Sequence, residues 1–243
     1  MRLTNLASIL RDAGLRVVEE SDWKKRGSDT FGPLRGFTIH ETRGNINSTV
    51  EGEINVLING RPGLSGPISQ LFLSRIGVWY VIASGTCHHN KVGWAGPNIG
   101  LGNDNLLGIE AQHALNEQWT NVQYESYVAG TAALCEAYGI SVNRIGGHKE
   151  HQPGDKTDPS FNMDTFRQRV AVAMREEDED MPSVDEVWAK SFAEYTDENG
   201  NDVRDKRTVA DILYATHRAT LANSEAIKRI EDRLNAPTPP EEA

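Results

Sequence analysis

Ile145-Gly-Gly-His-Lys-Glu-His-Gln-Pro-Gly-Asp-Lys-Thr-Asp-Pro159 packs imidazole, carboxylate and ammonium groups into one short, turn-rich segment. His148 and Asp158 offer two kinds of metal-ligand atom. Lys156 stands two residues before Asp158, close enough to face the same place. A structural zinc site usually closes with four protein ligands, whereas a catalytic one uses three, often imidazole and carboxylate, and keeps a position for water. The segment therefore asks for one more ligand from elsewhere in the chain.

The best source is His40, in Arg35-Gly-Phe-Thr-Ile-His-Glu-Thr42. Phe37, Thr38 and Ile39 favour a strand, and a histidine at its end, before a polar loop, can point into a cleft. A further charged group lies in Leu106-Leu-Gly-Ile-Glu-Ala-Gln112. Glu110 follows an apolar run, and burying its charge unpaired is costly, so it is expected to face a metal, a cation or a cleft.

Helical and strand patterns surround these groups. Leu3, Leu6, Ile9 and Leu10 share one face of a short amphipathic helix over Leu3–Leu15. Val50, Ile54, Leu57 and Ile58 predict a helix over Ser48–Ile58, capped by Asn47 or Ser48 with Glu51 as capping-box partner. Ile68–Leu73 and Val78–Ala83 read as a hairpin. Leu106–Gln112 reads as a further strand. Tyr124–Tyr138 reads as a long helix with Tyr127, Val128, Thr131, Leu134 and Cys135 inward. Met163–Met174 reads as the closing helix, capped by Asn162 or Asp164. About five strands interleaved with helices predict an α/β fold, a mixed central sheet flanked by helices with a helical C-terminal appendage. The Gly-rich loop Gly93–Gly102 lacks the Lys-Ser/Thr of a phosphate loop; with Trp94 it is expected to shape a groove.

The 243 residues divide unevenly in charge. Residues 1–174 hold 16 Lys and Arg against 17 Asp and Glu, and residues 175–243 hold 9 against 18. The expected division is a catalytic domain at 1–174, an acidic linker at 175–183, a helical region at 184–236 and a disordered tail at 237–243. An acidic balance argues against nucleic acid, which is held mainly by Lys and Arg. No apolar run approaches the roughly 20 residues of a membrane span, and the N-terminus lacks a signal-peptide pattern. Synthesis in the cytoplasm is expected. The two cysteines, Cys87 and Cys135, are expected to be reduced. Val209–Leu234 carries weak heptads and is the expected surface for a homo-oligomer.

The ordered set "FTIHET", "VWYVIASGTCHHNKVGWAG", "NLLGIEAQ" and "GGHKEHQPGDKTDP" resembles the zinc-dependent N-acetylmuramoyl-L-alanine amidases of the amidase-2 type, a superfamily that includes phage amidases, cell-wall-recycling amidases and peptidoglycan recognition proteins. Several spaced motifs in order are more specific than any one of them. The resemblance implies Zn²⁺ on His40, His148 and Asp158, with Glu110 as acid/base and Lys156 as the cation that stabilises the transition state. Many relatives carry Cys in place of Asp158. Asp155 is a rival ligand, and the family's Lys-x-Asp-Pro pattern selects Asp158. His89, where the family often has a His-Ala-Gly turn, and Trp94 are expected to contact substrate. Glu150 and His151 are expected to be polar loop residues, and His113 a groove-wall or surface residue. The implied substrate is peptidoglycan and the implied role that of a phage lysis enzyme, reaching the wall after the membrane is permeabilised. Non-catalytic binders of the superfamily typically miss a ligand, whereas every ligand and catalytic position is filled here; a recycling amidase would share the same chemistry.

Overall fold

The computed structural model of the chain describes residues 1–178. Their centre is a six-stranded sheet of β1 (Val17–Glu19), β2 (Gly36–Glu41), β5 (Leu71–Leu73), β6 (Trp79–Val81), β7 (Leu106–Ala111) and β8 (Ile145–Gly147), in the order β1-β6-β5-β7-β2-β8. Only β5 and β6 pair antiparallel; the other neighbours are parallel. A separate two-stranded ribbon joins β3 (Gly60–Arg61) to β4 (Leu64–Ser65). The mixed α/β architecture is the one expected. Two of its strands, β1 and β8, were not, because three residues are too few to show an alternating pattern.

Helices cover both faces. On one face α1 (Leu6–Asp12), α3 (Asn121–Tyr138) and α5 (Met163–Asp178) bury Phe37, Ile39, Leu107 and Ile109 beneath Tyr127, Leu134, Phe166 and Val170. On the other, α2 (Val50–Asn59) covers the β5–β6 side through Ile54 and Leu57 against Phe72 and Ile82. Residues alternate between faces along a strand. His40 and Thr38 therefore lie opposite Phe37 and Ile39, on the face that α2 covers only in part.

Some boundaries differ from the sequence reading. The cap of α2 is Thr49, whose side chain accepts from the Gly52 N–H, in place of Asn47 or Ser48. Glu51 takes no part in a capping box; the Ser48 hydroxyl donates to Glu53 instead (2.5 Å). The first helix is shorter than expected, although Leu3 stays in the core. Asn162 accepts from the Thr165 N–H at the start of α5 (2.9 Å), and α5 runs past Met174 into the acidic stretch. The helices expected beyond it, the oligomer surface and the disordered tail lie outside the described residues. No helix among the described residues is long and apolar enough to cross a membrane. Both cysteines are free and buried.

Candidate metal centre

Strand register builds the site. β2 and β7 pair so that His40 stands opposite Glu110, one strand spacing of about 4.8 Å away. β8 flanks β2 on its other side and leads straight into the short helix α4 (His148–His151), so His148 emerges beside His40. The chain then turns back, and the Lys149 N–H donates to the Asp158 carbonyl (2.6 Å). His40 (1 % exposed), His148 (5 %) and Asp158 (8 %) converge. The Nδ1 atoms of His40 and His148 are 3.0 Å apart, and each lies 3.2 Å from Asp158 Oδ2. Among the described residues this is the one cluster of His, Cys, Asp or Glu side chains that could hold a metal ion.

Hydrogen-bond partners fix where the ring protons sit. The Leu106 carbonyl can only accept, so His89 Nε2, 3.0 Å away, carries a proton. Burial, reinforced by His40, holds the His89 pKa well below its ordinary value, so that ring is neutral and its Nδ1 is an acceptor. His40 Nε2, 3.2 Å from it, must then donate. His40 is itself neutral, its pKa pushed down to about 4 by burial and by His148. Its Nδ1 is therefore a bare lone pair. Gln152 Oε1, oriented by the Lys91 N–H (3.4 Å), accepts from His148 Nε2 (2.8 Å), which fixes that ring with Nδ1 turned towards His40. Asp158 Oδ2 stands against both Nδ1 atoms. Two imidazole nitrogens and a carboxylate oxygen thus crowd one point. Such a donor set is complementary to a divalent cation.

Glu110 Oε1 lies 4.0 Å from His40 Nδ1, and Oε2 is buried with no hydrogen-bond partner. Burial, then the charges of Asp158, Glu53 and Glu41, pushes the Glu110 pKa well above its ordinary value. The positive charge of Lys156 lowers the pKa of both His40 and Glu110.

The remaining expectations fare unevenly. His89 is buried and spends both ring nitrogens inside the protein, so its place is beneath His40 and not against substrate. Gly108 makes room for it: a Cβ there would lie 2.6 Å from the His89 ring. Trp94 is 47 % exposed on the glycine-rich loop, anchored by its N–H to the His151 carbonyl (3.2 Å). Asp155 turns outward to Lys91 (3.2 Å). Glu150 and His151 are not loop residues: Glu150 pairs with Arg167 (2.8 Å), and His151 is buried with Nε2 3.1 Å from the Lys91 carbonyl. His113 is also buried, stacked on Trp119 at 4.1 Å and 3.5 Å from Glu41. His88 is exposed, with Nδ1 2.9 Å from the Ser65 carbonyl. Gln152 and Glu41 went unpredicted, and Tyr127 was expected only on the inner face of its helix. Gln152 had a signal, since four residues after His148 it shares that helix face. The Tyr127 hydroxyl accepts from the His40 N–H (3.2 Å) and donates to the Ile109 carbonyl (2.7 Å), pinning the backbone at the ligand.

A family model, Amidase_2, described as N-acetylmuramoyl-L-alanine amidase, matches residues 30–161. The chain belongs to this family. Among curated proteins, it is similar to the 1,6-anhydro-N-acetylmuramyl-L-alanine amidase AmpD of Escherichia coli (strain K12), 35 % identical over 71 residues, 29 % of this chain and 39 % of that protein. The AmpD of Citrobacter freundii is 36 % identical over 70 residues, 29 % of this chain and 37 % of that one. The chain thus spans about two-fifths of the length of these curated relatives. Two solved structures are also similar. The endolysin N-acetylmuramoyl-L-alanine amidase LysCS from Clostridium intestinale URNW has a TM-score of 0.46 at 23 % identity, over 64 % of this chain and 95 % of that one. The Staphylococcus aureus hydrolase AmiA has a TM-score of 0.49 at 16 % identity, over 72 % and 92 %.

Proposed function

We propose that this amidase-family chain hydrolyses the amide between N-acetylmuramic acid and L-alanine in peptidoglycan, with Zn²⁺ held by His40, His148 and Asp158. The observation that carries the reading is the convergence of two imidazole nitrogens and a carboxylate oxygen at 3.0–3.2 Å beside a carboxyl with a raised pKa. Tetrahedral zinc with bonds of roughly 2.0–2.1 Å has ligand–ligand edges of about 3.3 Å, so the donor triangle fits it. Three protein ligands leave the fourth position free, as in catalytic zinc sites.

Bound zinc would lower the pKa of a water to about 7 and polarise a carbonyl. The chain's own groups do the rest. Glu110, raised in pKa and without a partner at Oε2, takes the proton of the attacking water and returns it to the leaving amine nitrogen of L-alanine. A carboxyl whose pKa is raised holds a proton more readily than an ordinary carboxylate, which suits it both to accept one and to release it. Lys156 stabilises the oxyanion that develops on the amide carbonyl, a preorganised charge of the kind that often dominates catalysis. His89 and Gln152 keep the ligand tautomers fixed while the proton moves. Trp94 and the glycine-rich loop offer an exposed aromatic wall for glycan or stem peptide.

Mass spectrometry of purified peptidoglycan after digestion tests this. Amide cleavage yields stem peptides with a free L-alanine amine and intact glycan; cleaved glycan, or no cleavage with zinc present, defeats the reading. Phage wall lysis and fragment recycling share this chemistry. The names of the curated relatives specify 1,6-anhydro substrates, which favours soluble fragments as a second reading. Comparing turnover on intact walls and on soluble anhydro-muropeptides separates the two.

A further inference from the structure

Thr157 and Ser160 bracket the Asp158-Pro159 pair, and both are tied to the end of β2. Glu41 follows His40 and points to the opposite sheet face. Its side chain is 1 % exposed. Oε2 accepts from the Ser160 N–H (2.9 Å) and hydroxyl (2.7 Å), and Oε1 accepts from Arg43 Nε (2.9 Å). Arg43 reaches onward, donating to the Thr157 hydroxyl (2.5 Å) and carbonyl (3.0 Å). Trp119 Nε1 donates to the same Ser160 hydroxyl oxygen (2.9 Å). A buried carboxylate is tolerable here because its lone pairs are filled. Arg43 also adopts φ 51°, in the left-handed region that is strained for a non-glycine residue. Glycine would take that backbone without cost but would lack the guanidinium fork.

We propose that Glu41 and Arg43 are positioning residues for the metal centre, locking the Thr157–Ser160 loop so that Asp158 Oδ2 meets the His40 and His148 nitrogens. The inference rests on the metal reading above. Its physical content is that one strand supplies both a ligand and the clamp for another. His40 and Glu41 are adjacent, so the spacing between His40 and Asp158 is set by a rigid strand and five hydrogen bonds and not by a free loop. Groups that orient metal ligands typically contribute 10- to 100-fold in metal affinity.

The test is zinc affinity, by chelator competition, in wild type, Arg43→Gly, Arg43→Lys and Ser160→Ala, with the thermal midpoint of each metal-free protein measured alongside. Arg43→Gly relieves the left-handed backbone but strips Oε1 of buried Glu41 of its partner, so its metal-free midpoint is expected to fall while zinc affinity falls about 10-fold or more. Arg43→Lys is expected not to restore affinity, because an ammonium cannot span Glu41 and Thr157 together. Ser160→Ala is expected to weaken zinc in the same direction. Wild-type affinity in both Arg43→Gly and Ser160→Ala overturns the proposal, and so does a lowered metal-free midpoint with zinc affinity unchanged. If wild type takes up no zinc, the metal reading and this inference fall together. If wild type binds and the variants bind equally, only the bracket falls.

Discussion

His40 and Glu110 share one level of the sheet, and the proposed mechanism makes opposite demands on them: one must stay unprotonated to bind metal, the other must trade a proton. Removing a ligand should therefore differ in kind from removing the acid/base. His40→Ala, His148→Ala and Asp158→Ala are expected to lose zinc and activity together, read by metal content and peptide release. Glu110→Gln and Lys156→Met are expected to keep zinc and lose roughly 10²-fold or more in turnover. Full zinc occupancy in all three ligand variants would refute the assignment. The same groups set the acid response of the metal-free protein. His40, with a folded pKa near 4 against about 6.5 unfolded, binds fewer protons folded than unfolded across that window. Its contribution is complete above pH 6.5 and lost as pH falls towards 4, and His89 acts in the same sense. Glu110 opposes them, since its raised pKa makes the folded state the better proton binder above about 4.3. His113 and His151, also lowered by burial, add to His40 and His89, and four histidines against one carboxyl leave stability rising with pH between about 4.5 and 6.5. Glu110→Gln should steepen that rise by up to about 1.4 kcal/mol per pH unit, one proton's worth; urea midpoints of chelator-treated protein across the window show it, and an unchanged slope contradicts the Glu110 shift. The convergence of His40, His148 and Asp158 was legible in the sequence because motif order survives without tertiary information. Glu41, His113 and His151 were not, because a buried, satisfied polar side chain reads in sequence like an exposed one.

Strands β2 and β7 could be read from Phe37, Thr38, Ile39 and from Leu106, Leu107, Ile109, and the inner face of α3 from its i, i+4, i+7 spacing. Helix ends were harder, because Asn47, Ser48 and Thr49 are all good caps and only the backbone angle selects Thr49. Close approach between elements was not legible at all. Gly130 sits mid-α3, where glycine ordinarily costs about 1 kcal/mol relative to alanine. A Cβ there would lie 2.3 Å from the indole of Trp79 on β6, so the helix rests directly on that ring. Trp79 is fully buried and its Nε1 donates to Ser126 on the same helix (2.9 Å), so it has no simple way to retreat. Overpacking of a tight core costs about 1–3 kcal/mol, more than the helical gain. Gly130→Ala is therefore expected to lower stability in a urea titration, whereas a stabilised variant would mean that α3 can lift from the sheet freely.

Every group argued to hold metal, move a proton or brace a ligand lies between His40 and Arg167, and α5 closes the core with Phe166 and Val170 fully buried. The amidase family match likewise ends at residue 161. Residues 175–243 carry 18 acidic against 9 basic side chains and contribute none of these groups. We propose a domain boundary just past α5, a few residues later than the 174 expected from sequence, because that helix continues to Asp178. A chain ending after Glu179 is then expected to fold, to bind zinc with wild-type affinity and to turn over small soluble muropeptides at close to the full-length rate. Self-association is the property the shorter chain is free to lose, since the heptads at Val209–Leu234 lie in the deleted part. Sedimentation of both chains, with turnover on one soluble substrate, decides the matter. Inactivity or failure to fold in the shorter chain would mean that the acidic region completes the core or the site, and the boundary would have to move.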